Sequence, residues 1–202
     1  GGNGDDVLNG GAGNDTLVGG PGNDEINGAA DDDTVLESGN DASYSPAIAA
    51  GTGDDIINGG AGVDKVSYAS RSADLTISLC VNAAATGAPT GASLGAECSD
   101  DDGDPLLTEV DNLVNIEWLV GDTGDDTLNG AEGDETIEGG AGDDTIHGGD
   151  GADSLYGDGN DDLLYGDDGD DYVEGGGGDD LQDGGDSDGD VCISDAADVS
   201  AA

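Results

Sequence analysis

A period of nine residues constrains this chain more than any other feature. From Gly1 it reads GGNGDDVLN, GGAGNDTLV and GGPGNDEIN, then a degenerate GAADDDTVL at 28–36. After a gap at 37–49 come AGTGDDIIN (50–58) and GGAGVDKVS (59–67). From Gly121 to Asp183 seven units abut without interruption: GDTGDDTLN, GAEGDETIE, GGAGDDTIH, GGDGADSLY, GDGNDDLLY, GDDGDDYVE and GGGGDDLQD. A nine-residue unit cannot enclose a core of its own, so each must bury its apolar side against a neighbour, as repeat architectures do.

Each position has a physical role. Glycines at the first, second and fourth positions admit left-handed backbone and close chain approach, so the first half of a unit is a tight turn whose carbonyls can face inward. An acid at the sixth position closes the turn. The eighth is aliphatic (Leu8, Leu17, Ile26, Val35, Ile57, Val66, Leu128, Ile137, Ile146, Leu155, Leu164, Val173). Flanked by residues such as Thr, Asn and Tyr, it reads as the inward middle of a three-residue strand. Turn, strand, turn, strand makes a coil of two units, and stacked coils make two short parallel sheets around a thin aliphatic core.

Such a core is too small to offset ordering this much glycine-rich backbone. The charge makes matters worse: 49 acidic residues against 2 Lys plus Arg give a formal charge of −47. Stacking places like carboxylates about one strand spacing apart, ~4.8 Å. A surface of this sign repels nucleic acid and anionic lipid, so its partners are cations. Without a cation the composition reads as a disordered polyanion. Calcium takes six to eight oxygens from carboxylates and carbonyls in flexible geometry, whereas magnesium demands a tighter octahedron. One His and three scattered Cys make no zinc site.

The unit GGxGxDxUx resembles the calcium-binding nonapeptide of repeats-in-toxin (RTX) proteins, and the resemblance covers roughly half the chain. It implies an all-β, right-handed parallel β-roll solenoid, interrupted here by a β insertion, in which the turns bind calcium. With two units per coil, acids on one edge pair across two units. The expected ligands are Asp6, Asp15, Asp24, Asp33, Asp55, Asp64, Asp126, Glu135, Asp144, Asp153, Asp162, Asp171 and Asp180. In the long run this gives up to five sites: Asp126/Asp144, Asp144/Asp162, Asp162/Asp180, Glu135/Asp153 and Asp153/Asp171. Glu135 departs from the pattern by one methylene and weakens its site. Asp6/Asp24 is a clean pair, Asp15/Asp33 a degenerate one, and Asp55 and Asp64 need partners across the gap. Asn160 stands where the fifth unit wants glycine, and Gln182 where the seventh wants an aliphatic, which predicts that the core ends there.

The organisation expected is a first roll segment at 1–67, an insertion at 68–120, a second roll segment at 121–183 and an acidic tail at 184–202. Within the insertion, ADLTISL puts Leu75, Ile77 and Leu79 on one face, and DNLVNIEWLV reads as a second strand. The two make either a hairpin or extra roll strands, with Trp118 packing on the roll. Residues 82–108 read as an exposed flap, for which Cys80 and Cys98 are the natural disulfide pair, leaving Cys192 over. The acidic runs SDDDGDPLLTE and GGDSDGDVCISD fail as EF-hands, because Cys98 or Gly184 falls on the first ligand position. His147 has no nearby nucleophile and reads as a surface residue. Tyr156 and Tyr172 face outward from one sheet, and Tyr165 from the other beside Leu163. No run is apolar enough to span a membrane, GGNGDD is no signal peptide, and the absence of Met marks a piece of a longer protein. These features point to a non-enzymatic calcium-binding module of a secreted bacterial protein, folding outside the cell and stabilising or displaying attached domains. The alternative is an adhesive or carbohydrate-binding segment using the outer face of the roll or the flap.

Overall fold

A computed structural model describes residues 1–20, 22–36, 56–68, 75–79, 112–121, 123–194 and 199–200. Cys80, Cys98 and the 82–108 segment lie outside these, as does Asp55. In chain order the strands alternate between two sides of a roll, except that β7 and β8 fall in succession on the same side. The first repeats supply β1 (Val7–Ala12), β2 (Thr16–Leu17), β3 (Glu25–Ala30), β4 (Thr34–Leu36), β5 (Ile56–Ala61) and β6 (Lys65–Ser67). The insertion supplies β7 (Thr76–Ser78), β8 (Asn112–Val114) and β9 (Trp118–Val120). The long run supplies β10 (Thr127–Asn129), β11 (Thr136–Ala141), β12 (Thr145–Asp150), β13 (Ser154–Gly159), β14 (Leu163–Asp168), β15 (Tyr172–Gly177) and β16 (Leu181–Asp183). Two more follow it, β17 (Val191–Ile193) and β18 (Val199–Ser200).

Every pairing between these strands is parallel, and within the uninterrupted repeats its register is the repeat itself. Leu8 faces Ile26, Ile146 faces Leu164, and Leu155 faces Val173, each eighteen residues on. One side is a single eight-stranded sheet, in the order β17-β15-β13-β11-β9-β6-β4-β2. The other is divided into a four-stranded sheet, β1-β3-β5-β8, and a six-stranded sheet, β18-β16-β14-β12-β10-β7. The eighth-position aliphatics form one continuous core: Ile137, Ile146, Leu155, Leu164 and Val173 are fully buried. Leu8 and Leu17, in the first coil, are only partly buried against it.

The insertion makes roll strands. Leu75, Ile77 and Leu79 enter the core as the alternation requires, and β7 lies parallel to β10. The stretch at 111–120 is two strands rather than one. Asn115, at φ 53, turns the chain between β8, which pairs with β5, and β9, which pairs with both β6 and β11. Trp118 packs on the roll, with Lys65 Nζ 3.9 Å from its ring centroid.

The core does not end at Gln182. Its side chain is fully buried, β16 pairs onward with β18, and Cys192 continues the column of Val173. An amide fits there because polar partners are in reach, Ser194 Oγ among them at 3.4 Å from Oε1. The Gly-rich acidic stretch GGDSDGDV is therefore a roll turn carrying one extra residue, not a calcium loop between helices. Asn160 adopts φ 90 and keeps its turn, since Asn visits the left-handed region more readily than most side chains.

Candidate metal centres

The sixth-position acids line up along the two edges of the roll. On the edge leading into the six-stranded sheet, the amide of Asp126 donates to Asp144 Oδ1, Asp144 to Asp162 and Asp162 to Asp180, each at 2.8 Å. On the edge leading into the eight-stranded sheet, Glu135 donates to Asp153 and Asp153 to Asp171 at the same distance. In the first repeats Asp6 donates to Asp24, and Asp15 to Asp33, with equal geometry, so the degenerate fourth unit keeps its place. Asp33 pairs onward with Asp64 at 2.8 Å across 31 residues.

Two members of these rows carry no nonapeptide signature. The amide of Asp64 donates to Glu117 Oε2 at 3.0 Å, and that of Asp171 to Asp190 Oδ1 at 3.0 Å. Glu117 stands two residues before the inward Leu119, the spacing of every motif acid, but its turn has no glycine. Asp190 stands likewise before Cys192, behind a turn one residue too long. An acid two residues before an inward apolar side chain, Leu119 or Cys192, is the only signal that could have found them.

One oxygen of Asp33, Asp64, Asp144, Asp153, Asp162 and Asp171 is thus used by the backbone. Their other oxygen, Oδ2, is buried without a hydrogen-bond partner, as is Oδ2 of Asp15. An orphaned carboxylate oxygen costs free energy unless a cation meets it. The glycine that opens each turn leaves room for one. A Cβ at Gly148 would collide with Asp153 Oδ2 and stand 2.7 Å from the Gly166 carbonyl oxygen of the next coil. A Cβ at Gly157 would meet Asp162 Oδ2 and the Gly175 carbonyl, 2.6 Å away. Each cradle brings a carboxylate oxygen and a carbonyl oxygen to one small space. Glu135 differs, because its longer arm reaches back to accept from Ala131 N at 3.2 Å.

Burial, reinforced by neighbouring carboxylates, pushes these acids up. Asp144 is lifted to about 8, Asp162 and Glu135 to about 7 and Asp153 to about 6. Asp24, Asp64 and Asp171 are raised by the same cause. Outside this row, fifth-position acids form a second, exposed ladder: Asp143 N donates to Asp125, Asp161 N to Asp143 and Asp179 N to Asp161. Among the described residues no three His, Cys, Asp or Glu side chains converge as a metal cluster. A cation in a cradle therefore draws on backbone carbonyls as well as carboxylates, which suits a hard, oxygen-seeking ion.

The chain matches the family model of the RTX calcium-binding nonapeptide repeat over residues 1–35, 47–70, 115–146, 129–164, 147–182 and 156–189, more than half its length. It belongs to the RTX calcium-binding repeat family. Among curated proteins no match is found. The matched RTX segments contain every expected acid, and they also take in Glu117. They stop one residue short of Asp190.

His147, Tyr156, Tyr165 and Tyr172 lie on strands of this RTX roll, β12 to β15, and not in its turns. His147 stacks on Tyr165 with ring centroids 4.7 Å apart, and its Nδ1 is 2.9 Å from Asp167 Oδ2. Tyr156 and Tyr172 meet at 5.8 Å on the eight-stranded sheet, and Leu163 is 40% exposed on the other.

Proposed function

We propose that this chain is a calcium-folded structural module of a secreted protein, and that the sixth-position acids are its ligands. The observation that carries the reading is the repeated cradle of buried, unpartnered Asp Oδ2 atoms facing the carbonyl of the next coil. Asp144, Asp153, Asp162 and Asp171 would each hold an ion with the opening glycine carbonyl of the following coil, and Asp190 would extend the row past the last motif. Asp55 belongs to the same proposal by its place in the repeat. Bound calcium supplies the positive charge that lets stacked carboxylates stay ionised inside the roll.

Such a module would be a disordered polyanion where calcium is scarce and a solenoid where it is plentiful. Each site contributes about 1.4 kcal/mol per tenfold of calcium above its dissociation constant. That fits export in an unfolded form followed by folding outside the cell, where the roll stabilises or displays attached domains. An adhesive or carbohydrate-binding role is less well supported, since the outward tyrosines are divided between two sheets instead of forming one strip.

Circular dichroism through a calcium titration, with magnesium as control, tests the reading. The expected result is a cooperative coil-to-β transition with calcium that magnesium does not reproduce. A chain already folded in chelator, or one that calcium leaves unfolded, overturns it.

A further inference from the structure

The two rows of acids treat the insertion differently. On the edge leading into the six-stranded sheet, the row stops at Asp126, whose Oδ1 accepts from the backbone of Leu75, just before β7, at 2.9 Å. On the edge leading into the eight-stranded sheet, the row passes straight through. Asp64 N donates to Glu117 as Asp33 N donates to Asp64, and the amides of Glu117 and Trp118 both return to the Asp64 carbonyl, at 3.2 and 3.0 Å.

A cradle lies at this seam. Asp64 is 1% exposed and its Oδ2 has no hydrogen-bond partner. A Cβ at Gly59 would stand 2.7 Å from that oxygen, with the carbonyl oxygen of Asn115 closer still. This is the arrangement found at Gly148 and Gly157, except that the carbonyl and the second acid come from a short turn, Asn115 to Glu117, with no glycine and no motif.

Building on the calcium reading above, we propose that Asp64, the Asn115 carbonyl and Glu117 form a calcium site at the seam between the two repeat runs. An ion there links the coil of β5 and β6 to that of β8 and β9. It makes the two runs one cooperative unit along this edge, while the opposite edge is interrupted.

Trp118, the only tryptophan in the chain, is next to Glu117 and reports on this site. Terbium, a luminescent substitute for calcium, is titrated into the whole chain and excited through tryptophan alone; native mass spectrometry counts bound calcium. E117Q and D64N should each lower the affinity read through Trp118 by about tenfold and remove one calcium, while the calcium-induced circular dichroism transition persists. E117D, which keeps a carboxylate, should retain the ion, and this separates ligation from packing. An unmoved Trp118 signal and an unchanged ion count in folded E117Q and D64N overturn the seam site alone. Absence of any calcium transition in the unaltered chain overturns the underlying calcium reading.

Discussion

The run from Gly121 to Asp183 and the run from Gly1 to Leu36 are written in the same unit, yet they bury it unequally. In the long run Ile137, Ile146, Leu155 and Leu164 are fully enclosed, and Asp144 and Asp162 sit between coils on both sides. At the start of the chain Leu8 and Leu17 are only partly covered, Val7 is 78% exposed, and Asp6 Oδ2 accepts from its own turn at Gly2 N, 2.6 Å away. The motif of the first two units is as good as that of the long run. What differs is the number of coils stacked around it, and with it the desolvation of the carboxylates. A repeat of this kind is therefore not an independent calcium site; its neighbours decide how strongly it needs the ion.

The largest effect expected from this difference is on pH dependence without calcium. Folded Asp144, Asp162, Glu135 and Asp153 titrate at about 6 to 8, whereas unfolded carboxylates titrate near ~4. The folded form binds protons more tightly, so this stabilisation is complete below about 4 and is lost as pH rises through about 6 to 8. In calcium-free buffer the chain should gain β structure on acidification, seen by circular dichroism, and hydrogen exchange should show 136–177 protected before 1–36. Simultaneous protection of both runs would break the comparison.

Next in size is the contrast between D144N and D24N. Asp144 takes part in two pairs inside the long run, so D144N should raise the calcium midpoint of folding by roughly tenfold, about 1.4 kcal/mol. D24N, beside the exposed first coil, should raise it several-fold less. Equal shifts would mean that stacking depth does not set the need for calcium.

Glycine substitutions sharpen the point locally. G148A drives a methyl into the cradle of Asp153 and the Gly166 carbonyl, which should destabilise the calcium-bound roll by about 1–3 kcal/mol. At Gly2 the nearest atom to a Cβ is Asp6 Oδ2 at an ordinary 3.8 Å, and thermal melts of G2A should be close to those of the unaltered chain. The smallest effect is expected from E135D. The shorter acid gives up the Ala131 bond and returns the oxygen to the cradle, so calorimetry should find calcium bound there a few-fold more tightly, on the order of 0.5–1 kcal/mol.

Much of the roll was legible in advance because a fixed period leaves a repeat little choice. Leu155 faces Val173, and Asp144 meets Asp162, because two units make a coil. Asp15 and Asp33 pair despite the degraded fourth unit, since the acid and the inward Val35 keep their spacing. Gln182 misled because polarity was read without its partners, which come from a stretch that lacked a clean repeat.

By itself the sequence determined the period, the inward column of aliphatics, the pairing of acids along each edge and the choice of an oxygen-loving cation, all of which follow from spacing and charge. Only the tertiary structure decided that β7 to β9 join the sheets, that Glu117 and Asp190 continue one row of acids, and that Leu75 interrupts the other. The reason is physical: within a repeat run the next strand is set by chain geometry, but across an insertion it is set by whichever segment can complete the ladder and cover the exposed core. Glu117 does so with the right acid and none of the glycines.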